Sequence, residues 1–390
     1  MSLARVAGID ALGQLIVVED AACRVLLDPT GGTLDPPPAA FAWPTWLSSG
    51  DALVVSTLER STPGAPGARL LRVPLQPGGA PIELLREPSG TNLVAPRTPH
   101  YVNPSPDGRH LLALVPAYNA LSLLFVDAAG RGPAQAIAVG APLFSAWSPA
   151  SDAYLLHVGG ELTLTDLATA PSARSLAVNH AGYRVPSWSP DGEHFLVSAP
   201  VGRRVMLQIW DRDGTPRRSL GPSNAGAAFA WSPRGDLIAH AAHAGGESNR
   251  YERVRLFPAR GGEGRDLYRG EIVAMFWAPD GGSLALLVPG LQEGRIAWLI
   301  LDTNGRKVRR FPDFDPSTEF ALYAAFFDQY ALSHSLWSPN GSAILACGRI
   351  PSDGPLPELL PSCIYACEIA SGICHMLTPG TIAFWPPRSG

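Results

Sequence analysis

The chain has 390 residues, of which 46% are hydrophobic and 16% charged, and its net charge is −4. This composition excludes a disordered chain, and the acidic balance without a run of Lys or Arg argues against nucleic-acid binding. No window of about 18 apolar residues is present, so we expect no membrane span. Charged residues from Arg5 to Asp20 interrupt any signal-peptide core, which predicts a cytoplasmic location. A removed leader and a periplasmic location are the alternative.

The chain begins with three strand-like runs, Leu3–Ile9, Gln14–Glu19 and Cys23–Asp28. Beyond them, 40 Gly and 39 Pro are spread along the whole length instead of being collected in one tract. Regularly spaced turns would explain this distribution.

A five-residue motif then recurs: Trp, a small residue, Pro, a polar residue and Gly. Pro presets φ at the first corner of a turn, Asp or Asn bonds its own backbone, and Gly accepts the positive φ that follows. Trp is a large apolar anchor suited to packing between neighbouring sheets. The copies recur at intervals of roughly 40 to 60 residues, at or above the usual propeller period of about 40–50. In chain order they begin at Trp46, Pro104, Trp147, Trp188, Trp231, Trp277, Trp337 and Trp385.

Three β-like runs follow each turn. After the Trp188 copy they are His194–Ala199, Arg204–Trp210 and Arg217–Leu220, with a polar Asp-Gly turn between the last two. One unit is therefore an innermost strand ending near Trp followed by three more strands. Four-stranded sheets repeated radially form a propeller, so the sequence predicts an all-β closed β-propeller as a single domain over residues 1–390.

The number of blades depends on the chain ends. Thr381–Trp385 reads as an innermost strand with nothing after it, and the three N-terminal runs would complete its blade. This pairing would join the two ends by hydrogen bonds and remove free strand edges. We predict eight four-stranded blades, with seven as the alternative if the Trp385 segment is only a tail.

The Trp188-Ser189-Pro190-Asp191-Gly192 motif and its copies resemble the TolB-type propeller repeat, which is similar to the propeller domains of prolyl-oligopeptidase-like enzymes. Residues 326–334 also resemble a segment of bacterial TolB-like proteins. The resemblance covers essentially the whole chain and implies the fold, but no activity, because such repeats serve many roles. A Gly-x-Ser-x-Gly elbow is absent, and the repeats leave no room for a hydrolase domain.

Two inserts lengthen the repeat. The first, at 87–99, is rich in Pro, Asn and Thr and reads as an irregular loop. The second, at 312–331, predicts a short helix with Asp315 as N-cap and Pro316 at its first position. Its aromatic residues follow at helical spacing. They would form either a packing plug or one wall of a pocket or docking surface.

Residues just ahead of innermost strands line the mouth of a propeller channel, where ligands collect. By this rule the predicted binding residues are His100, Tyr101, Phe144, Tyr183, Arg184, Asn224, Glu271, Asp328, Tyr330 and His334.

Other chemistry finds little support in the sequence. Cys363 and Cys367 lie four residues apart on a predicted strand, too far for one zinc ion. We predict buried free thiols, no metal site and no cofactor. His240 and His243 have no third ligand nearby in the sequence.

The leading hypothesis is a non-enzymatic binding or scaffolding propeller that recognises a protein partner or a small ligand through its top-face loops and channel. The alternative is a hydrolase or lyase that uses His100, His334, Glu271 or Asp328 as acid–base groups. A third possibility is a sensor that binds a small ligand or metal without turnover.

Overall fold

Antiparallel strands make up most of the regular structure. The computed structural model describes residues 5–20, 22–35, 37–58, 68–86, 101–117, 119–167, 172–176, 185–224, 226–243, 250–351 and 361–387. The chain divides into two compact units. The first unit comprises residues 1–140, 313–323 and 330–390, and the second comprises 141–312 and 324–329. The single-domain organisation stays a prediction.

Short strands follow one another along the described ranges of the chain, and helices interrupt them only near residue 320. The first half contains β1 (Val6–Asp10), β2 (Leu15–Glu19), β3 (Ala22–Leu27), β4 (Ala40–Phe41), β5 (Thr45–Trp46), β6 (Ala52–Leu58), β7 (Arg69–Pro74), β8 (Ile82–Arg86), β9 (Tyr101–Pro104), β10 (His110–Ala117), β11 (Ala120–Asp127), β12 (Gln135–Gly140), β13 (Leu143–Trp147), β14 (Ala153–Val158), β15 (Glu161–Asp166) and β16 (Ser172–Leu176). The second half contains β17 (Ser187–Trp188), β18 (His194–Val201), β19 (Arg204–Asp211), β20 (Pro216–Pro222), β21 (Ala228–Trp231), β22 (Leu237–His243), β23 (Tyr251–Pro258), β24 (Arg265–Ile272), β25 (Ala274–Trp277), β26 (Ser283–Pro289), β27 (Ile296–Asp302), β28 (Lys307–Arg310), β29 (Asp315–Pro316), α1 (Thr318–Ala325), α2 (Phe327–Tyr330), β30 (Ala343–Arg349), β31 (Cys363–Glu368) and β32 (Cys374–Phe384).

Strands that follow each other in sequence pair to form antiparallel sheets. Sheet 1 contains β4 to β8, and sheets 2, 3, 4, 5 and 6 contain β9–β12, β13–β16, β17–β20, β21–β24 and β25–β28. The terminal sheet has the order β29-β30-β31-β32-β1-β2-β3. The all-β class and the repeated four-stranded antiparallel sheets predicted from the motif are confirmed.

The repeated turn has the conformation that its residues predict. In the second sheet the Gly108 nitrogen donates to the Ser105 carbonyl over 2.8 Å, and in the fourth the Gly192 nitrogen donates to Ser189 over 2.9 Å. Both glycines adopt a positive φ, of 71° and 74° respectively. Only glycine enters this region without steric cost, which explains its place at the end of the motif.

The hydrophobic core lies between consecutive sheets. One cluster joins Leu155 of sheet 3 to Phe195 of sheet 4, and another joins Leu207 of sheet 4 to Ile238 of sheet 5. Equivalent packing joins sheets 1 and 2 in the first unit. Alternate residues of a strand face opposite sides of its sheet, so β18 contributes Phe195 and Val197 to the first cluster and Leu196 to the second.

The repeated Trp residues bind neighbouring sheets together by a polar contact as well. Nε1 of Trp188 donates to the carbonyl of Ala146 over 3.2 Å, and Nε1 of Trp277 donates to Ala230 over 3.3 Å. In each case the acceptor is the residue just before the Trp of the preceding sheet. A buried indole usually has a partner for its N–H group, and for Trp188 and Trp277 the adjacent copy of the repeat supplies it.

The first and last strands share the terminal sheet, as the sequence predicts. The early part of β32 pairs with β31, and its final residues pair with β1, with Phe384 opposite Ala7 and Ile382 opposite Ile9. The Trp385 end is therefore not an unpaired tail. Gly8 lies in this pairing, and a Cβ at that position would lie 2.4 Å from the carbonyl oxygen of Ile382.

The insert at 312–331 contains the predicted helix, but the predicted cap is wrong. Helix α1 begins at Thr318, and the hydroxyl of Ser317 accepts a hydrogen bond from the Phe320 nitrogen over 3.0 Å. Ser317 is therefore the N-cap. Asp315 and Pro316 instead pair with Arg349 and Gly348 of β30. No helix within the described ranges is long and apolar enough to cross a membrane. The loop insert at 87–99 lies outside the described residues.

Two of the five cysteines contradict the prediction of free thiols. Cys367 and Cys374 form a disulfide across the hairpin of β31 and β32, where they are directly opposed with a Cα–Cα distance of 3.9 Å. Cys347 and Cys363 are buried and free, as predicted, and Cys23 is free but exposed. Sequence reasoning compared Cys363 with Cys367 along one strand and missed the partner that the hairpin register places opposite Cys367.

Candidate functional site

The repeat position three residues before the anchor carries an aromatic or His side chain in several copies. Trp43, Tyr101, Phe144 and His334 occupy this position. In the first unit, three of them contact Tyr330 of the insert. The centroid of the Tyr330 ring lies 4.8 Å from that of Trp43, 5.4 Å from that of Tyr101 and 6.0 Å from that of His334. The structure therefore brings together three predicted binding residues, Tyr101, Tyr330 and His334.

Further rings enclose this group, which we call the aromatic cluster. Its members are Trp43, Tyr101, Tyr323, Tyr330, His334 and Phe384. Tyr323 stacks on Tyr330 at 5.7 Å, and Phe384 approaches His334 at 4.6 Å. The rings are tilted or edge-on in most of these pairs, an arrangement favoured by aromatic quadrupoles.

His334 is fixed at both ring nitrogens. Nε2 lies 3.0 Å from the Thr45 hydroxyl, and Nδ1 lies 2.7 Å from the Ser333 hydroxyl. The side chain is only 2% exposed, and burial lowers the pKa of His334 from its ordinary value to about 3. The imidazole is neutral at pH 7, with one nitrogen donating to a hydroxyl and the other accepting from one.

The two tyrosines of the insert are also held neutral. Burial raises the pKa of Tyr330 to about 12, and it raises that of Tyr323 well above its ordinary value. The Tyr323 hydroxyl donates to the His334 carbonyl over 2.8 Å. The cluster thus packs the insert onto the innermost strands, which agrees with the packing-plug interpretation of the insert.

Four other predicted residues lie in separate surroundings within the second unit. The Phe144 ring is 6.2 Å from His157, and the Asn224 amide donates to the His243 carbonyl over 2.9 Å. Glu271 forms an exposed ion pair with Arg250. Asp328 lies in α2, where its carboxylate accepts from the Gln329 nitrogen. His100, Tyr183 and Arg184 lie outside the described residues.

Sequence reasoning missed a buried polar chain between sheets 4 and 5. The Ser198 hydroxyl lies 2.8 Å from that of Ser223, which lies 2.9 Å from Nε2 of His240. Burial, together with the charges of Arg255 and Arg253, lowers the pKa of His240 to about 4. Within the described chain, Nδ1 of His240 has no hydrogen-bond partner.

The repeat itself contained a signal for this chain. His240 lies two residues beyond the one that pairs with the motif Trp. At the same place the other copies carry an aliphatic residue or Gly. These residues are Gly8, Val55, Ala113, Leu156, Val197, Leu286 and Ala346. A buried His at an aliphatic position is an exception that a copy-by-copy alignment of the chain with itself would find.

The described residues contain no group of three or more His, Cys, Asp or Glu arranged to hold a metal ion. In the Ser198–Ser223–His240 chain the two end residues are buried and Ser223 is half-buried, and the imidazole is neutral. Ser198 lies in sheet 4 and Ser223 directly follows its last strand, whereas the imidazole belongs to sheet 5, so the chain links the two sheets by hydrogen bonds.

Comparison with known proteins shows the fold. No family model matches the sequence, and no curated protein matches it either. Among solved structures, the dihydro-heme d1 dehydrogenase NirN has a TM-score of 0.59 with 14% identity, over 97% of this chain and 74% of that one. A prolyl endopeptidase structure has a TM-score of 0.56 with 13% identity, over 90% of this chain and 50% of that one. TolB from Acinetobacter baumannii has a TM-score of 0.39 with 15% identity, over 79% of this chain and 62% of that one.

These identities are low, so the matches establish the fold alone. The chain is a β-propeller of the kind that prolyl endopeptidases also contain, as its repeats predict. It spans half the length of the prolyl endopeptidase that it matches.

Proposed function

We propose that this chain is a non-enzymatic binding propeller that recognises a protein partner through exposed apolar side chains in the turns of each compact unit. The observation that carries the proposal is a pair of large apolar side chains at turn tips. Leu12 is 77% exposed and Leu291 is 90% exposed. Leu12 lies in the turn between β1 and β2, and Leu291 lies in the turn between β26 and β27. In both cases the first of the two strands pairs with an innermost strand that ends at or next to a motif Trp.

Equivalent placement in two copies of the repeat distinguishes these leucines from scattered surface residues, which are common. Buried apolar anchors supply most of the binding energy in protein interfaces. A rigid sheet scaffold with variable turns suits such recognition because the turns can change without disturbing the core. A small ligand bound among the same connections is the other form of this proposal.

The proposed architecture is an eight-bladed ring. Support comes from β32, whose first half completes the sheet of β30 and β31 and whose second half starts the set with β1, β2 and β3. Counting this strand in both sets gives eight groups of strands, each with one anchor of the repeat.

The acid–base alternative receives less support from the residues that it would use. His334 is enclosed by rings and has a pKa of about 3, far from the range in which a general base works at neutral pH. Glu271 is held by Arg250 at the surface. The cytoplasmic location stays a prediction, and the cross-strand disulfide is more typical of proteins in an oxidising compartment.

Site-specific photo-crosslinking tests the proposal. A benzoylphenylalanine is placed at position 12, at position 291 or, as a control, at the exposed Asn304 in a turn between third and fourth strands. We expect one discrete crosslinked protein from positions 12 and 291 and none from 304. Added unmodified chain should suppress this crosslink, whereas an added L12E/L291E variant should compete less well. Equal crosslinking at all three positions would contradict the proposal.

A further inference from the structure

A second surface feature lies between sheets 4 and 5 in the second unit, at their motif turns. It is a groove of about 650 Å³. Four arginines and one carboxylate, that of Asp191, are among its lining residues. The basic lining residues are Arg217, Arg218, Arg234, Arg260 and His194.

Arg234 reverses the charge at a repeat position. The polar residue of the motif turn is Asp191 in sheet 4 and Asp280 in sheet 6, but it is Arg234 in sheet 5. At the acidic positions the side chain serves the turn, as when the Asp191 carboxylate accepts from the Ser189 hydroxyl over 2.5 Å. In sheet 5 the acceptor is Asp236, 2.7 Å from the Ser232 hydroxyl. The turn therefore does not require Arg234.

The four arginines of the groove differ in whether they form ion pairs or hydrogen bonds with the rest of the chain. Arg217 pairs with Asp211 over 3.0 Å, and Arg218 donates to the Ala259 carbonyl over 3.3 Å. Arg234 and Arg260 have neither an ion pair nor a hydrogen bond to any part of the chain that the structure describes. Both residues are exposed and line the same groove, and the Arg234 side chain also lies against Gly281 and Gly282 of the sheet 6 motif turn.

The indole that lines this groove also departs from the repeat. Trp188 and Trp277 each donate to a carbonyl of the preceding sheet. Trp231 is only 8% exposed, yet within the described residues its Nε1 has no partner. The joint between sheets 4 and 5 thus lacks the polar contact that its neighbouring joints have, at the place where the groove lies.

A similar groove in the first unit serves as an internal comparison. Its volume is about 630 Å³, and it is lined by three arginines and two carboxylates. Arg5 there pairs with Glu19 over 2.8 Å, and Arg24 donates to the Leu75 carbonyl. The two carboxylates of this groove nearly balance its three arginines, whereas the groove between sheets 4 and 5 has one carboxylate for four arginines.

We propose that the groove between sheets 4 and 5 binds a small organic phosphate, with Arg234 and Arg260 on the phosphoryl oxygens. Guanidinium groups match phosphate oxygens in bidentate geometry. A phosphate monoester carries close to two negative charges at pH 7, so one group satisfies both arginines where a monocarboxylate neutralises only one. This site is separate from the turns of the proposed function, and it does not depend on that function.

Calorimetric titration with inorganic pyrophosphate, and with citrate as the carboxylate probe, tests the site on the full chain. We compare the unmodified protein with R234D, with R234A/R260A and with R203A/R204A. The last variant removes the same charge from an exposed turn at the other end of sheet 4. R234D restores the acidic residue that the turn carries in sheets 4 and 6, so it should melt no lower than the unmodified protein.

We expect pyrophosphate to bind the unmodified protein and R203A/R204A alike, with at least tenfold weaker binding to R234D and R234A/R260A. Three results would overturn the proposal. They are no pyrophosphate binding to the unmodified protein, equal binding to all variants, and tighter binding of citrate with the same dependence on Arg234. Loss of pyrophosphate binding supports the proposal only in a variant whose melting curve remains cooperative. R234D is the variant that we expect to remain folded, because it restores the acidic residue of the turn.

Discussion

His240 and Arg234 occupy positions where the other copies of the repeat carry a different type of residue. His240 replaces an aliphatic residue inside the core, and Arg234 replaces an acidic residue at a turn. In both cases neighbouring residues compensate, since Ser223 binds the imidazole and Asp236 takes over the turn. The structure of the repeat does not require either residue, so each is a candidate for a role of its own.

The buried His240 should make stability depend on pH. Its pKa is about 4 in the folded chain against an ordinary 6.5, so the unfolded chain takes up a proton that the folded chain does not. Stability is therefore lost as pH falls from about 6.5 towards 4 and is unaffected by this group above that range. The shift corresponds to on the order of 3 kcal/mol.

Urea unfolding at pH 7, 5.5 and 4.5 measures this dependence. We expect H240L, which restores an aliphatic residue, to lose less stability on acidification than the unmodified protein. The remaining slope comes in part from His334, whose pKa is also lowered. The exposed His375 supplies the control, since H375N should keep the full dependence. An unchanged slope in H240L would show that His240 does not titrate as described.

At the scale of elements, the insert and the last hairpin show how pairing overrides local signals. Asp315 and Pro316 have the sequence of a helix start, yet β30 captures them as a short strand and α1 begins after Ser317. Cap preferences are worth about 1 kcal/mol, which strand pairing at the sheet edge can exceed. The cysteines of β31 and β32 likewise acquire their pairing from register.

The disulfide between β31 and β32 predicts which cysteines react with a thiol reagent. In the native protein, iodoacetamide should modify Cys23 first, because Cys347 is buried and burial raises its pKa to about 12. After denaturation without reductant, mass spectrometry should find alkylation at Cys23, Cys347 and Cys363 only. Adding a reductant should expose Cys367 and Cys374 together. Alkylation at all five without reductant would exclude the disulfide.

At the scale of the whole molecule, the pairing of β1 with β32 joins residues from opposite ends of the chain. Loop-closure entropy opposes such a contact, so side-chain packing and the ladder of hydrogen bonds must stabilise it. Gly8 is the most crowded position of this pairing, because a Cβ would meet both the backbone and the side chain of the last strand.

Substitution at Gly8 tests how much of the stability depends on the joined ends. We expect G8V to lower the free energy of unfolding by about 2–3 kcal/mol through overpacking and loss of pairing. G132A is the control, since a Cβ at Gly132 meets nothing within 4 Å. Urea denaturation curves of both variants measure the difference. Equal curves would mean that the ends contribute little to global stability.

The amino-acid sequence by itself determined the repeat, the all-β class and the sharing of a sheet by the two ends. Those features depend on local chemistry, namely the Pro and Gly of each turn and the alternation of apolar residues along each strand. The candidate site was predicted only in part. Tyr101, Tyr330 and His334 do meet, but the sequence left open whether the rings of the insert would enclose them as a plug or form the wall of a pocket.

Only the tertiary structure decided which side chains are buried, paired or exposed. The partner of Cys367 depends on hairpin register, and the environment of His334 depends on an insert packing against sheets formed far away in sequence. The positive charge of the groove between sheets 4 and 5 arises because residues from two copies of the repeat line one surface. Such properties depend on contacts between residues distant in the chain, and local sequence patterns do not specify those contacts.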